Sequence, residues 1–136
     1  MSAQNLPGSL EVSCSNSVAT IEFGHPASNS FPAQLLQDLT GAIETLSQNP
    51  EVTVLVLKSQ GTAAFCAGAS FDELLAVTNE VEGKAFFSGF AHLINTMRKC
   101  PKLIVGRVQG KVVGGGVGIA AACDYVLASQ EANIKL

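Results

Sequence analysis

The sequence predicts an α/β fold of parallel strands, arranged as repeated strand–loop–helix units. Three observations carry the prediction. Two continuous apolar runs, "VTVLVLK" at 52–58 and "KLIVGRVQ" at 102–109, have the composition of strands buried on both faces. Amphipathic helical patterns at 31–48 and 83–100 alternate with these runs. A buried strand, a Gly/Ala loop and a helix then recur, at 52–76 and again at 102–123.

Each element follows from local chemistry. "VATIEF" (18–23) reads as a short strand paired with the segment around 10–13. "GHPASNSF" breaks it with Gly24 and Pro26. The first helix sets Leu35, Leu36, Leu39, Ile43 and Leu46 on one face; Pro32 suits its first turn, and Asn49 and Pro50 end it. After the 52–58 strand, "SQGTAAFCAGAS" reads as a loop, and a short helix begins near Phe71. The second amphipathic helix carries Phe86, Phe87, Phe90, Leu93, Ile94 and Met97 as a core stripe. Arg98 and Lys99 suit its C-terminal end, and Pro101 closes it. The 102–109 strand, a glycine loop, a tight helix "VGIAAAC" and a strand "DYVLAS" complete the series. Short connections imply parallel pairing with right-handed crossovers.

Composition bounds the function. A chain of 136 residues, 47% hydrophobic and 14% charged, suits one domain with one core and excludes disorder. A net charge of −3 and a pI near 5.2 offer no footprint for nucleic acid. Low charge density with a mean hydropathy of +0.32 leans towards burial, including against copies of the same chain. Cys14, Cys66, Cys100 and Cys123 are scattered without a C-x-x-C pair, and the only histidines are His25 and His92. Reduced thiols and no metal site are expected. The first residues lack the basic and apolar regions of a secretory signal, and no apolar run reaches the ~18 residues of a membrane span. A cytoplasmic location without a membrane partner is the expectation.

Six of the 13 glycines lie between Gly106 and Gly118. Glycine weakens regular structure by roughly 0.5–1 kcal/mol relative to alanine, so bare backbone is needed there, for a ligand or for close packing. The loops "FCAGAS" and "VVGGGVG" both follow strands and precede helices, where ligands gather in parallel α/β units. Unpaired N–H groups from both, aimed at one point, would stabilise a developing oxyanion. A P-loop is absent. A dinucleotide-type G-x-G-x-x-A does occur at Gly116, Gly118 and Ala121, but the strand before it ends near Gln109, too far upstream, and no acid follows about 20 residues on. Glycines that merely let a small helix pack closely are the structural alternative. Cys66 has no evident base beside it. Asp72 and Glu73 suit a solvated first helical turn, His25 and His92 read as non-catalytic, and Asp124 as a local cap.

Three segments in this order and spacing carry a resemblance: "HPASNSF" with Asn29, "AAFCAGASFDEL", and "VQGKVVGGGVGIAAACDYVLAS". From about Glu11 to its last residue the chain resembles the enoyl-CoA hydratase/isomerase, or crotonase, superfamily. The resemblance implies a crotonase-like spiral of repeated β-β-α units. It also implies a thioester carbonyl held between two backbone N–H groups, which fall on Ala69 and Gly115. Ala69, Ser70, Phe71 and Asp72 would run along the CoA arm, with Ala27 a weaker contact. The coenzyme A thioester would be the substrate, with no metal or redox cofactor, in a protein assembled as a trimer or hexamer.

Two departures matter. The family's "GGGxE" glutamate position is Gly118, which can be neither acid nor base. Ser70 stands where the family commonly has aspartate. A second family glutamate would fall just beyond Leu136, and the family's C-terminal helical part would follow it. Residues 1–136 are therefore expected to be the N-terminal core of a longer protein, inactive alone. The expected chemistry is hydratase/isomerase-type through a stabilised thioester enolate. Decarboxylation, another isomerisation, thioester hydrolysis or non-catalytic acyl-CoA binding are the alternatives.

Overall fold

The computed structural model describes residues 6–136. Along the chain run β1 (Ser9–Ser15), β2 (Val18–Gly24), α1 (Ala33–Ser47), β3 (Val54–Ser59), β4 (Ala64–Cys66), α2 (Phe71–Leu75), α3 (Glu80–Lys99), β5 (Leu103–Val108), β6 (Lys111–Val113), α4 (Gly115–Ala122), β7 (Tyr125–Ala128) and β8 (Asn133–Lys135). The larger sheet has the order β1-β2-β3-β5-β7. Its first pair is an antiparallel hairpin and the other pairs are parallel.

A second, parallel sheet of β4, β6 and β8 is absent from the sequence reading, which placed a loop at 59–70 and no strand after Gln109 before the glycines. Each of these strands has three residues, too few for a pattern of period two to show. Their presence makes the repeat β-β-α, as the resemblance implied: after the β1–β2 hairpin, which lies wholly in the large sheet, β3, β5 and β7 join the large sheet and β4, β6 and β8 the small one. The strand β6 also removes one of the two grounds given against a dinucleotide turn, the distance of the preceding strand, since it leads directly into Gly114. What excludes that reading is the packing of the glycines themselves, described below.

One face of the large sheet holds the core. Ala19, Ile21, Phe23, Leu55, Leu57, Ile104 and Val108 are each at most 1% exposed, and they share a cluster with Leu39 and Ile43 of α1 and Leu93 and Met97 of α3. The opposite face is not buried as the apolar runs predicted: Leu103 is 61% and Tyr125 63% exposed, and Val54, Val56 and Val105 are half-buried. The α3 stripe is likewise split. Leu93 and Met97 are buried, Phe86, Phe90 and Ile94 are half-buried, and Phe87 is exposed. Only the C-terminal half of α3 lies over the core.

Two caps tie the layers together. The α1 N-cap is Pro32, which has no side-chain cap; the Glu73 carboxylate of α2 supplies it, accepting from the Ala33 N–H at 2.9 and 3.1 Å. Asp124 accepts from the Ile104 N–H at 2.8 Å, fixing the start of β5 against the α4–β7 turn.

Candidate active site

The first half of the site is the loop from β4 to α2. Asn29, at φ 57° in the β2–α1 connection, ties that connection to the start of β4. Its Oδ1 accepts from the His25 N–H at 2.9 Å, and its Nδ2 donates to the carbonyls of Gln60 and Ala64, both at 2.8 Å. His25 Nδ1 accepts from the Ala27 N–H at 3.0 Å, so Nε2 carries the proton and donates to the Leu6 carbonyl at 2.8 Å. Both imidazole nitrogens are used to shape the β2–α1 connection.

Phe31 then pairs with Ala69 as an isolated parallel bridge. The Phe31 N–H donates to the Gly68 carbonyl at 2.8 Å, and the Phe31 carbonyl accepts from the Ser70 N–H at 3.1 Å. This pairing engages the groups on either side of Ala69 and leaves its own N–H without a protein partner among the described residues.

The second half is the turn from β6 into α4. Gly114 takes φ +56°, a conformation open to glycine at no steric cost. Gly115 is the first residue of α4, so its N–H is one of the four donors that a helix start leaves unpaired, and it too has no protein partner among the described residues. The two loops abut. A Cβ placed on Gly68 would lie 3.5 Å from the Gly115 nitrogen and 3.3 Å from the Val113 carbonyl oxygen, and one on Gly114 would lie 3.7 Å from the Gly68 Cα. Two unpaired amide donors thus sit on adjoining backbones at the ends of two parallel strands. Such a pair, set in a fixed geometry, stabilises negative charge that develops on an oxygen between them.

The glycines that follow serve packing as well as presentation. A Cβ on Gly115 would stand 2.6 Å from Phe90 Cζ; on Gly116, 2.6 Å from the Cys66 carbonyl oxygen; on Gly118, 3.1 Å from Ile94 Cδ1. Gly116 and Gly118 therefore face protein, on β4 and α3, where a dinucleotide turn would need them to face a phosphate. Close packing is also what brings the start of α4 up to Gly68, the residue before Ala69.

The remaining candidates divide. Ser70 is 1% exposed; its hydroxyl accepts from the Glu73 N–H at 3.4 Å and caps α2. The Ala27 N–H is taken by His25. Phe71, 62% exposed, and half-buried Asp72 occupy the first turn of α2 beside Ala69. The Cys66 thiol is buried and accepts from the Gly68 N–H at 3.3 Å; burial pushes it up to about 12, so it is no nucleophile near neutrality. The Cys123 thiol is also pushed up to about 12, by burial first and then by the Asp124 charge. His92 is exposed on α3. No group of three or more His, Cys, Asp or Glu able to hold a metal occurs among the described residues, and none of their helices is long and apolar enough to cross a membrane. Sequence reasoning missed Phe31 and Phe90 as parts of this region. Phe31 directly follows "HPASNS", and Phe90 sits in a stripe assigned wholly to the core.

Comparison with known proteins identifies the family and the fold. The profile of the family described as Enoyl-CoA hydratase/isomerase matches residues 13–136. The (E)-benzylidenesuccinyl-CoA hydratase of Thauera aromatica is 33% identical, over 96% of this chain and 50% of that protein. The ethylmalonyl-CoA decarboxylase of Xenopus tropicalis is 26% identical, over 98% of this chain and 45% of that protein. A solved enoyl-CoA hydratase/carnithine racemase from Magnetospirillum magneticum superposes with a TM-score of 0.84 at 26% identity, covering 90% of this chain and 47% of the other. The chain thus spans about half the length of these relatives. With the repeated β-β-α units, the abutting glycine loops and a profile match over nearly the whole sequence, the chain belongs to the enoyl-CoA hydratase/isomerase family, and its fold is the crotonase fold.

Proposed function

We propose that the protein acts on an acyl-CoA (or carrier-protein) thioester and stabilises its enolate between the N–H groups of Ala69 and Gly115. The observation that carries this reading is the pair of unpartnered donors on adjoining loops. A neutral thioester carbonyl accepts weakly. Once a proton leaves the α-carbon or a bond to it breaks, charge moves onto the oxygen, and the same two donors bind it more strongly. That difference, rather than binding itself, accelerates a reaction. Ala69, Ser70, Phe71 and Asp72 border the path proposed for the CoA arm, with Ala27 at its margin. Coenzyme A enters as part of the substrate, and the step needs no metal or redox cofactor. A cytoplasmic location and assembly as a trimer or hexamer belong to the same proposal; the exposed apolar residues Leu103, Tyr125 and Leu127 support association, without bearing on the number of copies or the compartment.

Hydratase or isomerase chemistry is the first reading. Gly118 favours a second, in which the same donors serve decarboxylation or another isomerisation through an enolate, or thioester hydrolysis through a tetrahedral oxyanion. At that position α4 presents no acid or base, and Ile94 stands opposite. The test is an amide-to-ester replacement at Ala69 in the full-length protein, which deletes one N–H and adds no bulk. Turnover of a CoA-ester panel is expected to fall about 10²–10³-fold, with CoA-ester binding retained. Undiminished turnover would remove Ala69 from the mechanism. Tight binding with no turnover by the unaltered protein would leave a non-catalytic acyl-CoA-binding role.

A further inference from the structure

We infer that Phe90 of α3 is a positioning residue that sets the separation of the two proposed donors. The inference rests on the enolate-binding reading above and extends it to a residue outside both loops. The phenyl ring lies against Gly115: a Cβ there would come within 2.6 Å of Cζ and 2.8 Å of Cδ1, closer than side-chain carbons pack. The space that a side chain would fill at the start of α4 is therefore filled from α3. The same ring meets Phe31 edge-on, with centroids 6.1 Å apart and planes at 69°.

Phe31 is the residue whose backbone grips both sides of Ala69, through the Gly68 carbonyl and the Ser70 N–H. Its ring is fixed in turn by Phe23 at 4.8 Å, and Phe23 by Phe65 of β4 at 5.4 Å. Phe23 and Phe65 are fully buried and Phe31 is 1% exposed. One aromatic chain thus runs from the core to both donors: Phe31 holds Ala69 through backbone pairing, and Phe90 spans from the Phe31 ring to Gly115. A helix start held from one side by a ring, and from the other by the close approach of Gly116 to Cys66, has little freedom to recede. Donor placement decides the strength of such a site, and a displacement of about 1 Å can cost on the order of 10²-fold in rate.

Carbonyl-labelled acetyl-CoA is the probe, bound to the full-length protein and read by infrared spectroscopy. Two aligned donors lower the thioester carbonyl stretch of the bound probe relative to the free one. In Phe90→Leu the ring is lost, and that lowering is expected to shrink by half or more while affinity for the probe and for free coenzyme A stays within about threefold. Phe90→Met, which restores length against Gly115, is expected to recover most of it. A variant that damaged the pocket generally would lose free coenzyme A as well, and that result would overturn a positioning role. A lowering present in the wild type and unchanged in Phe90→Leu would overturn the role of Phe90 alone. Absence of any lowering in the wild type would overturn the donor pair, and this inference with it.

Discussion

At the scale of single residues, the site is built from backbone, and side chains matter by where they leave room. Gly116 has little room to change. Its missing Cβ would face the Cys66 carbonyl of a buried strand, which cannot step aside, so Gly116→Ala should cost about 1–3 kcal/mol in urea unfolding. Gly118 is different. Only the terminal methyl of Ile94 would have to give, and alanine gains about 1 kcal/mol of helix propensity. Gly118→Ala should therefore leave stability unchanged or raised in the same experiment. The cysteines separate equally clearly. Folded protein at pH 8 should be alkylated at exposed Cys14 and spared at Cys66, as read by peptide mass spectrometry. The sign of the pH effect follows. Unfolded, Cys66 ionises near 9.0; folded, near 12. Its contribution to stability is complete below pH 9 and is lost as pH rises from 9 towards 12, because only the unfolded chain releases that proton.

At the scale of elements, the caps cross from one unit to another. Glu73 belongs to α2 yet supplies the N-terminal acceptor of α1, where Pro32 offers none. Glu73→Ala should destabilise the fold by about 1 kcal/mol, measured by urea unfolding. Loss of activity without loss of stability would instead show Glu73 acting in chemistry. Ser70 shows the same economy: the position where the family commonly carries aspartate serves here as the cap of α2, buried and hydrogen-bonded. The element ends were legible where chemistry punctuates them. Pro32, Asn49 and Pro50 bracket α1, and Arg98 and Lys99 close α3. The N-terminus of α3 was less legible. The helix begins at Glu80, with Asn79 accepting from the Glu82 N–H at 2.9 Å, several residues before the apolar stripe starts.

At the scale of the whole molecule, burial is concentrated in the middle of the large sheet. The strands β2, β3 and β5 have neighbours on both sides and a row of residues at most 1% exposed, whereas all of β7 and β8 is exposed. Hydrogen exchange on this chain should protect the amides of β2, β3 and β5 longest and release those of β7 and β8 first. Slower exchange in β7 than in β3 would mean that stability is not centred where burial places it.

The sequence by itself determined the class of fold, the large sheet, both long helices and the two loops that hold Ala69 and Gly115. Those features rest on periodicity, on residues that end helices, and on a clustering of glycine too costly to be incidental. Only the tertiary structure decided the rest. The small sheet consists of three-residue strands that carry no periodic signal and exist because parallel neighbours pair with them. The two proposed donors are more than forty residues apart in the chain, and their loops abut only because Gly68, Gly114 and Gly116 let backbone approach backbone. Phe90 reads as a core residue in sequence, since periodicity reports which face is apolar and not which neighbour the ring will meet.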